Sequence, residues 1–318
     1  MKKKRWISLI LSLATAALLL TGCGGTKVAG TAENKKLKVV ASNFPCYDFA
    51  RAAGGKAADV TMLLPPGAES HSYEPTPKDI LNIQNCDLFI YVGGDSDAWV
   101  DTILEAAGKS VKTLRLIDCV PQLDEQVDKG MTTREERSAG EPAEKDEHVW
   151  TSPANAAAIT AKIAGKMEKL DPADARAYQA GAAAYEKQIR GLDSAFKTFF
   201  SGVQNKTMVF GDRFPLRYFA EEYGLTCYAA FPGCSTQTEP SAATIAYLTD
   251  RVRREHLHTI YYIEFSNHLV ADSIAEATGA KTAQFNSCHN VSAKQLKAGA
   301  TYVSLMRENL KMLKTTMK

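Results

Sequence analysis

Nothing in this 318-residue chain stays apolar for the roughly 18 to 20 residues that a membrane-spanning helix needs; the longest such run, Ile7 to Leu20, stops short. An excess of charge is also missing. Lysine and arginine number 38 against 36 acidic residues, and setting aside Lys2, Lys3, Lys4 and Arg5 leaves 34, a balance that argues against nucleic acid as a partner. The seven cysteines include no C-x-x-C pair, which weakens both a dithiol redox enzyme and a zinc ribbon. The six histidines form neither an H-E-x-x-H pair nor a run, so a zinc-dependent hydrolase loses its usual signature. A disorder-prone composition is absent too: 45% hydrophobic and 23% charged residues are those of a globular protein, and the length predicts two domains.

What is present begins with the basic stretch Lys2 to Arg5, the short apolar run, and Leu20-Thr21-Gly22-Cys23. Residues 1–22 read as a signal peptide. The ending resembles the bacterial lipobox, which implies acylation of Cys23 and a lipid anchor on the extracytoplasmic face of the cell membrane. Residues 23–36 are small and polar, as in a tether. The cysteines beyond Cys23 are Cys46, Cys86, Cys119, Cys227, Cys234 and Cys288, and their pairing stays open.

From Leu37 to Asp118, β-rich runs (Leu37 to Ser42, Val60 to Leu64, Leu88 to Val92, Thr113 to Ile117) alternate with helical patterns at Phe44 to Ala53, Pro77 to Asn85 and Ala98 to Ala107. Such alternation predicts a parallel sheet covered on both faces. The polar stretch from Pro121 to Glu147 reads as a mobile surface loop. Ser152-Pro153 is an N-cap with proline at the first helical position, opening an alanine-rich helical segment that runs to about Phe200, with an interruption or kink offered by Asp171-Pro172. Alternation then resumes, with runs at Thr207 to Phe210, Leu225 to Ala230, Ile260 to Phe265 and Thr282 to Phe285, and a last helix from about Tyr302. The predicted fold is α/β: two βα lobes with parallel four-stranded sheets, residues 37–151 and 202–318, joined by a long rigid linker helix over residues 152–201.

Ligands of open α/β sheets bind beyond the carboxyl ends of the strands. His71 follows the second predicted strand in a proline-stiffened loop; His148 follows the fourth; Asp212 follows the first strand of the second half; His289 follows the last. Three imidazoles and a carboxylate suit a tetrahedral zinc shell, and a cleft between the lobes could assemble them. An N-cap role or an arginine partner is the plain alternative for Asp212. Glu264, at the end of its strand, supports or substitutes for a ligand in this reading, and Cys288 is a soft neighbour able to replace His289. His256 and His258 precede a strand and read as structural.

With these residues assembled, the chain resembles the cluster A-I solute-binding proteins of manganese and zinc ABC importers. The resemblance rests on His71-Ser72-Tyr73-Glu74-Pro75-Thr76-Pro77 and His148-Val149-Trp150-Thr151-Ser152-Pro153, with weaker agreement at Phe219 to Leu225, Glu239-Pro240-Ser241 and Tyr302 to Leu310. It implies a metal buried between two lobes, bound as transported ligand, and a membrane permease as partner of a monomeric receptor. The second half departs from the family pattern. A His or Glu is usual before the helix that begins here near Phe214, where this chain has Asp212 and Arg213, and an Asp is common where it reads Asn286-Ser287-Cys288-His289. A shell enriched in nitrogen by His289 favours Zn2+ over Mn2+. Capture without chemistry, hence no enzyme, is the expectation; a surface adhesin and a zinc-dependent hydrolase are the alternatives.

Overall fold

The computed structural model describes residues 35–107, 111–127, 130–131, 144–235 and 239–317. The expected signal peptide, Cys23 and nearly all of the tether lie outside these residues, as does most of the loop between Pro121 and Glu147.

Among the described residues, eight strands form two sheets: β1 Leu37–Ala41, β2 Ala58–Met62, β3 Leu88–Tyr91 and β4 Thr113–Arg115, then β5 Thr207–Phe214, β6 Thr226–Pro232, β7 Thr259–Ile263 and β8 Lys281–Phe285. Their orders, β2-β1-β3-β4 and β6-β5-β7-β8, repeat the same plan, and every pairing is parallel. In each half the chain steps to one side of its first strand and then crosses to the other. That switch opens a crevice at the carboxyl ends of β1 and β3, and again at those of β5 and β7.

The helices start where local chemistry dictates. Asn43 caps α1 (Phe44–Gly54) by accepting from the Cys46 amide, with Pro45 in the first turn. Thr76 and Asp79 form a capping box on α2 (Pro77–Gln84). Helix α3 spans Trp99–Ala107. Ser152 caps α4 (Pro153–Leu170) through the Asn155 amide, as its sequence predicts. The helical segment breaks at Asp171, where Pro172 opens a short 3-10 turn, and α5 (Ala175–Ser201) follows. Helices α4 and α5 lie side by side, and the 27 residues of α5 span about 40 Å at 1.5 Å per residue, so this longer piece links the lobes. Gly181 lets it press on α1, because a Cβ there would come within 2.5 Å of the Ala53 carbonyl oxygen. The second half adds α6 Arg217–Tyr223, α7 Ala242–Arg254, α8 Leu269–Thr278, α9 Ala293–Lys297 and α10 Tyr302–Thr316.

The main apolar core is shared by both halves. It runs from Leu37, Phe44 and Ile90 through Ile159, Ile189 and Phe196 to Phe210, Phe285 and Tyr302. Each sheet covers a smaller core on its other face: Val40, Phe89 and Ile103 under α2 and α3, and Val209, Leu248 and Ile274 under α7 and α8. At about 1.5–3 kcal/mol for each fully buried large apolar side chain, the shared core resists separation of the lobes. None of the six cysteines of the described residues is joined in a disulfide. No helix among the described residues is long and apolar enough to cross a membrane.

Candidate metal centre

His71 sits on the loop after β2, and that loop is held from the opposite half. The Gly67 amide donates to the Val291 carbonyl at 2.9 Å, and the Asn290 side-chain amide donates to the carbonyls of Pro65 and Ala68 at 2.8 and 2.9 Å. His289, on the segment after β8, returns the contact by accepting at its carbonyl from the Phe44 amide at 3.2 Å. The loops carrying the two histidines are therefore mutually docked.

His148 closes the acidic loop, whose base crosses to the second half. The Tyr218 hydroxyl accepts from the Leu123 amide at 3.1 Å and donates to the Asp146 carbonyl at 2.9 Å. Asp146 Oδ1 accepts from the His148 amide at 2.8 Å and lies 3.0 Å from His148 Nδ1. In its neutral form the ring thus donates its Nδ1–H to that carboxylate oxygen and carries its lone pair on Nε2. Trp150 packs edge-on against the His148 and His289 rings, with its Nε1 donating to the Ser287 carbonyl at 2.9 Å.

The three imidazoles converge. Ring centroids of His148 and His289 are 4.7 Å apart, those of His71 and His289 5.4 Å, and those of His71 and His148 6.0 Å. Glu147 joins them: one coordinating atom from each of His71, Glu147, His148 and His289 can be chosen so that all four lie within 4.8 Å of one another. Ligands about 2.0–2.1 Å from a tetrahedral zinc stand about 3.3 Å apart, so a small inward movement completes such a shell. The Nε2 atoms of His148 and His289 and Oε1 of Glu147 are buried with no hydrogen-bond partner among the described residues. Bare buried polar atoms are costly, and a cation at their centre removes that cost.

The electrostatics agree. Burial, with the neighbouring His148 and Arg213, pushes His71 down to about 3, and burial, with His148 and His71, drives His289 well below the ordinary histidine range. Both rings are neutral at physiological pH, the form that binds metal. Burial opposes protonation of His148 as well, but Asp146, Glu147 and Glu125 together raise it. The carboxyls of Glu147 and Glu264 are pushed up, chiefly by burial.

Asp212 stands outside this group. Strand β5 does not stop at Phe210 but continues to Phe214 through an irregularity between Phe210 and Arg213. There Asp212 accepts from the Arg213 amide at 2.8 Å and the Ile263 amide at 3.0 Å, filling the gap in pairing with β7. Glu264 also lies off the group and accepts from Ser287 and His289. Cys288 is fully buried, its Sγ 3.8 Å from the Asn286 carbonyl oxygen. His268 is exposed and pairs with Asp272. Sequence reasoning passed over Glu147 because it lies in a polar loop. Its signal is adjacency to His148, together with Gly94, where a Cβ would fall 2.1 Å from Glu147 Oε2.

A cleft of about 340 Å3 leads from solvent to His71, lined by Glu69, Ser72, Asp212, Arg213 and Phe265 among others. At its rim Arg213 Nη2 donates to Glu69 Oε2 at 2.6 Å, an ion pair between the two halves.

The family model for the periplasmic component A of the zinc-uptake complex matches residues 39–316. The high-affinity zinc uptake system protein ZnuA of Bacillus subtilis is 31% identical over 320 residues, covering 99% of this chain and 98% of that protein. The zinc-binding lipoprotein AdcA of Streptococcus pneumoniae is 32% identical over 98% of this chain, which spans only 60% of AdcA. Among solved structures, the Zn(II)-bound ZnuA-like domain of the same AdcA superposes with a TM-score of 0.73 at 31% identity, covering 88% of this chain and 98% of that one.

Proposed function

Because this chain belongs to the family of zinc-uptake complex component A proteins, we propose that it captures one zinc ion between its lobes and delivers it to the permease of an ABC importer. The observation that carries this reading is that His71, Glu147, His148 and His289 each bring a coordinating atom within 4.8 Å of the others, while His148 Nε2, His289 Nε2 and Glu147 Oε1 are buried with no hydrogen-bond partner among the described residues. In this reading His71, His148, His289 and Glu147 are the ligands, and Asp212 holds the sheet. A shell of three nitrogens and one carboxylate oxygen favours zinc over manganese. The four ligands leave no coordination position for a catalytic water, so binding and release are the whole activity. Acylation at Cys23 holds the receptor at the extracytoplasmic face, as a monomer, within reach of the permease.

The test is competition titration of the purified chain with zinc and manganese, alongside elemental analysis. One tightly held zinc per chain, displaced poorly by manganese and lost in His71→Ala and His148→Ala, is the expected result. Equal preference for both metals removes the assignment to zinc, and no bound metal removes the reading.

A further inference from the structure

Resting on that reading, we propose that Ser287 is a positioning residue for metal capture: its hydroxyl relays the Glu264 carboxylate to His289 and fixes the imidazole in the tautomer whose Nε2 faces the metal. Beyond β8 the chain turns through Asn286, Ser287 and Cys288, and Cys288 adopts a φ of +63°, a left-handed conformation uncommon for a residue with a side chain. The turn wraps a buried carboxylate. Glu264 Oε2 accepts from the Ser287 amide at 2.6 Å, while Oε1 accepts from the Ser287 hydroxyl at 2.8 Å and from the His289 amide at 3.2 Å.

Counting protons sets the direction of the relay. Ser287 has one hydroxyl hydrogen, and Glu264 takes it. The contact of 3.2 Å between Ser287 Oγ and His289 Nδ1 is therefore an Nδ1–H donating to the hydroxyl oxygen. A neutral imidazole protonated at Nδ1 carries its lone pair on Nε2, the atom left buried with no hydrogen-bond partner among the described residues. His148 reaches the same state by donating directly to Asp146. The two rings thus use one device at two lengths, carboxylate to imidazole and carboxylate to hydroxyl to imidazole, and the longer version suits a ligand on a tight turn rather than in a loop.

Partners of this kind typically change metal affinity 10- to 100-fold. Ser287→Ala is expected to weaken zinc binding by about that factor in competition titration. In the metal-free protein, 15N NMR of the imidazoles is expected to show His289 as the Nδ1–H tautomer in the parent and a mixture in Ser287→Ala, with Ser287→Thr restoring the parent tautomer. An Ser287→Ala variant whose His289 keeps the Nδ1–H tautomer overturns the relay, whether or not its affinity falls. Parent affinity in Ser287→Ala, where His289→Ala has lost binding, also overturns it and leaves the zinc reading standing. Parent affinity in His289→Ala instead overturns the ligand assignment beneath it.

Discussion

Asp97, Glu147 and Glu264 are buried carboxyls, the first two close enough to interact, and burial raises each of them. Asp97 is pushed up to about 7 by burial and by the charge of Glu147, against the donors of Gly93, Val92 and Ser42. An unfolded aspartate ionises near pH 4, so between about pH 4 and 7 the native state binds a proton that the unfolded state lacks. The contribution of this group to stability is complete below that window and is lost as pH rises through it. Asp97→Asn in the metal-free protein is therefore expected to make the slope of melting temperature against pH more positive between pH 4 and 7; an unchanged slope refutes the raised carboxyl. A second expectation concerns Glu147 and Asp212. Loss of a charged ligand exceeds the 10- to 100-fold typical of supporting residues, so Glu147→Ala should weaken zinc more than 100-fold while Asp212→Asn stays near the parent. The reverse ranking in a chelator competition would return Asp212 to the shell. That His71, His148 and His289 come together was legible, because strand ends and specific motifs flag them. That Glu147 and not Asp212 stands beside them was not, since it depends on an irregularity in β5 and on the space beside Gly94, neither of which has a period in the sequence.

The elements were easier to foresee than their ends. Ser152-Pro153 announces a helix through chemistry that acts within four residues, and α4 starts there. Pro172 announces the break between α4 and α5 in the same local way. Strand β5, by contrast, outruns its apolar pattern by four residues because tertiary pairing with β6 carries it on to Phe214. How α5 is pinned is likewise a long-range matter. Asp48 on α1 accepts from Tyr185 on α5, from the Tyr302 amide that begins α10, and from Arg51. Removing the tyrosine hydroxyl leaves a buried carboxylate one donor short, at about 1–3 kcal/mol. Tyr185→Phe is thus expected to lower stability by about 2 kcal/mol in chemical denaturation while binding zinc with parent stoichiometry. A fully stable variant would show that α5 is held by its apolar face alone.

At the scale of the whole molecule, two lobes share one core, so opening has to be a small motion at the rim rather than a wide hinge. Alternating runs reveal the two halves, but a core common to both is a product of packing and leaves no mark in the order of residues. The rim is where the Glu69–Arg213 ion pair joins them. Glu69 also accepts from the His71 amide at 3.4 Å, which ties the pair to the histidine cluster. With side-chain exposures of 13% for Arg213 and 37% for Glu69, the pair is worth at most about 1 kcal/mol, or about fivefold in a rate. Its removal has two consequences whose signs depend on which partner goes. Arg213→Ala opens the rim but also deletes a cation that lowers His71 and His289 and repels the arriving metal, so the two effects oppose. Glu69→Gln opens the rim and leaves that cation uncompensated, so both effects weaken binding. Stopped-flow release of zinc to an excess of chelator should therefore be about fivefold faster in Glu69→Gln than in the parent, with Arg213→Ala lying between them. Faster release from Arg213→Ala than from Glu69→Gln would mean that the arginine is a lid alone and that its charge plays no part in holding the metal.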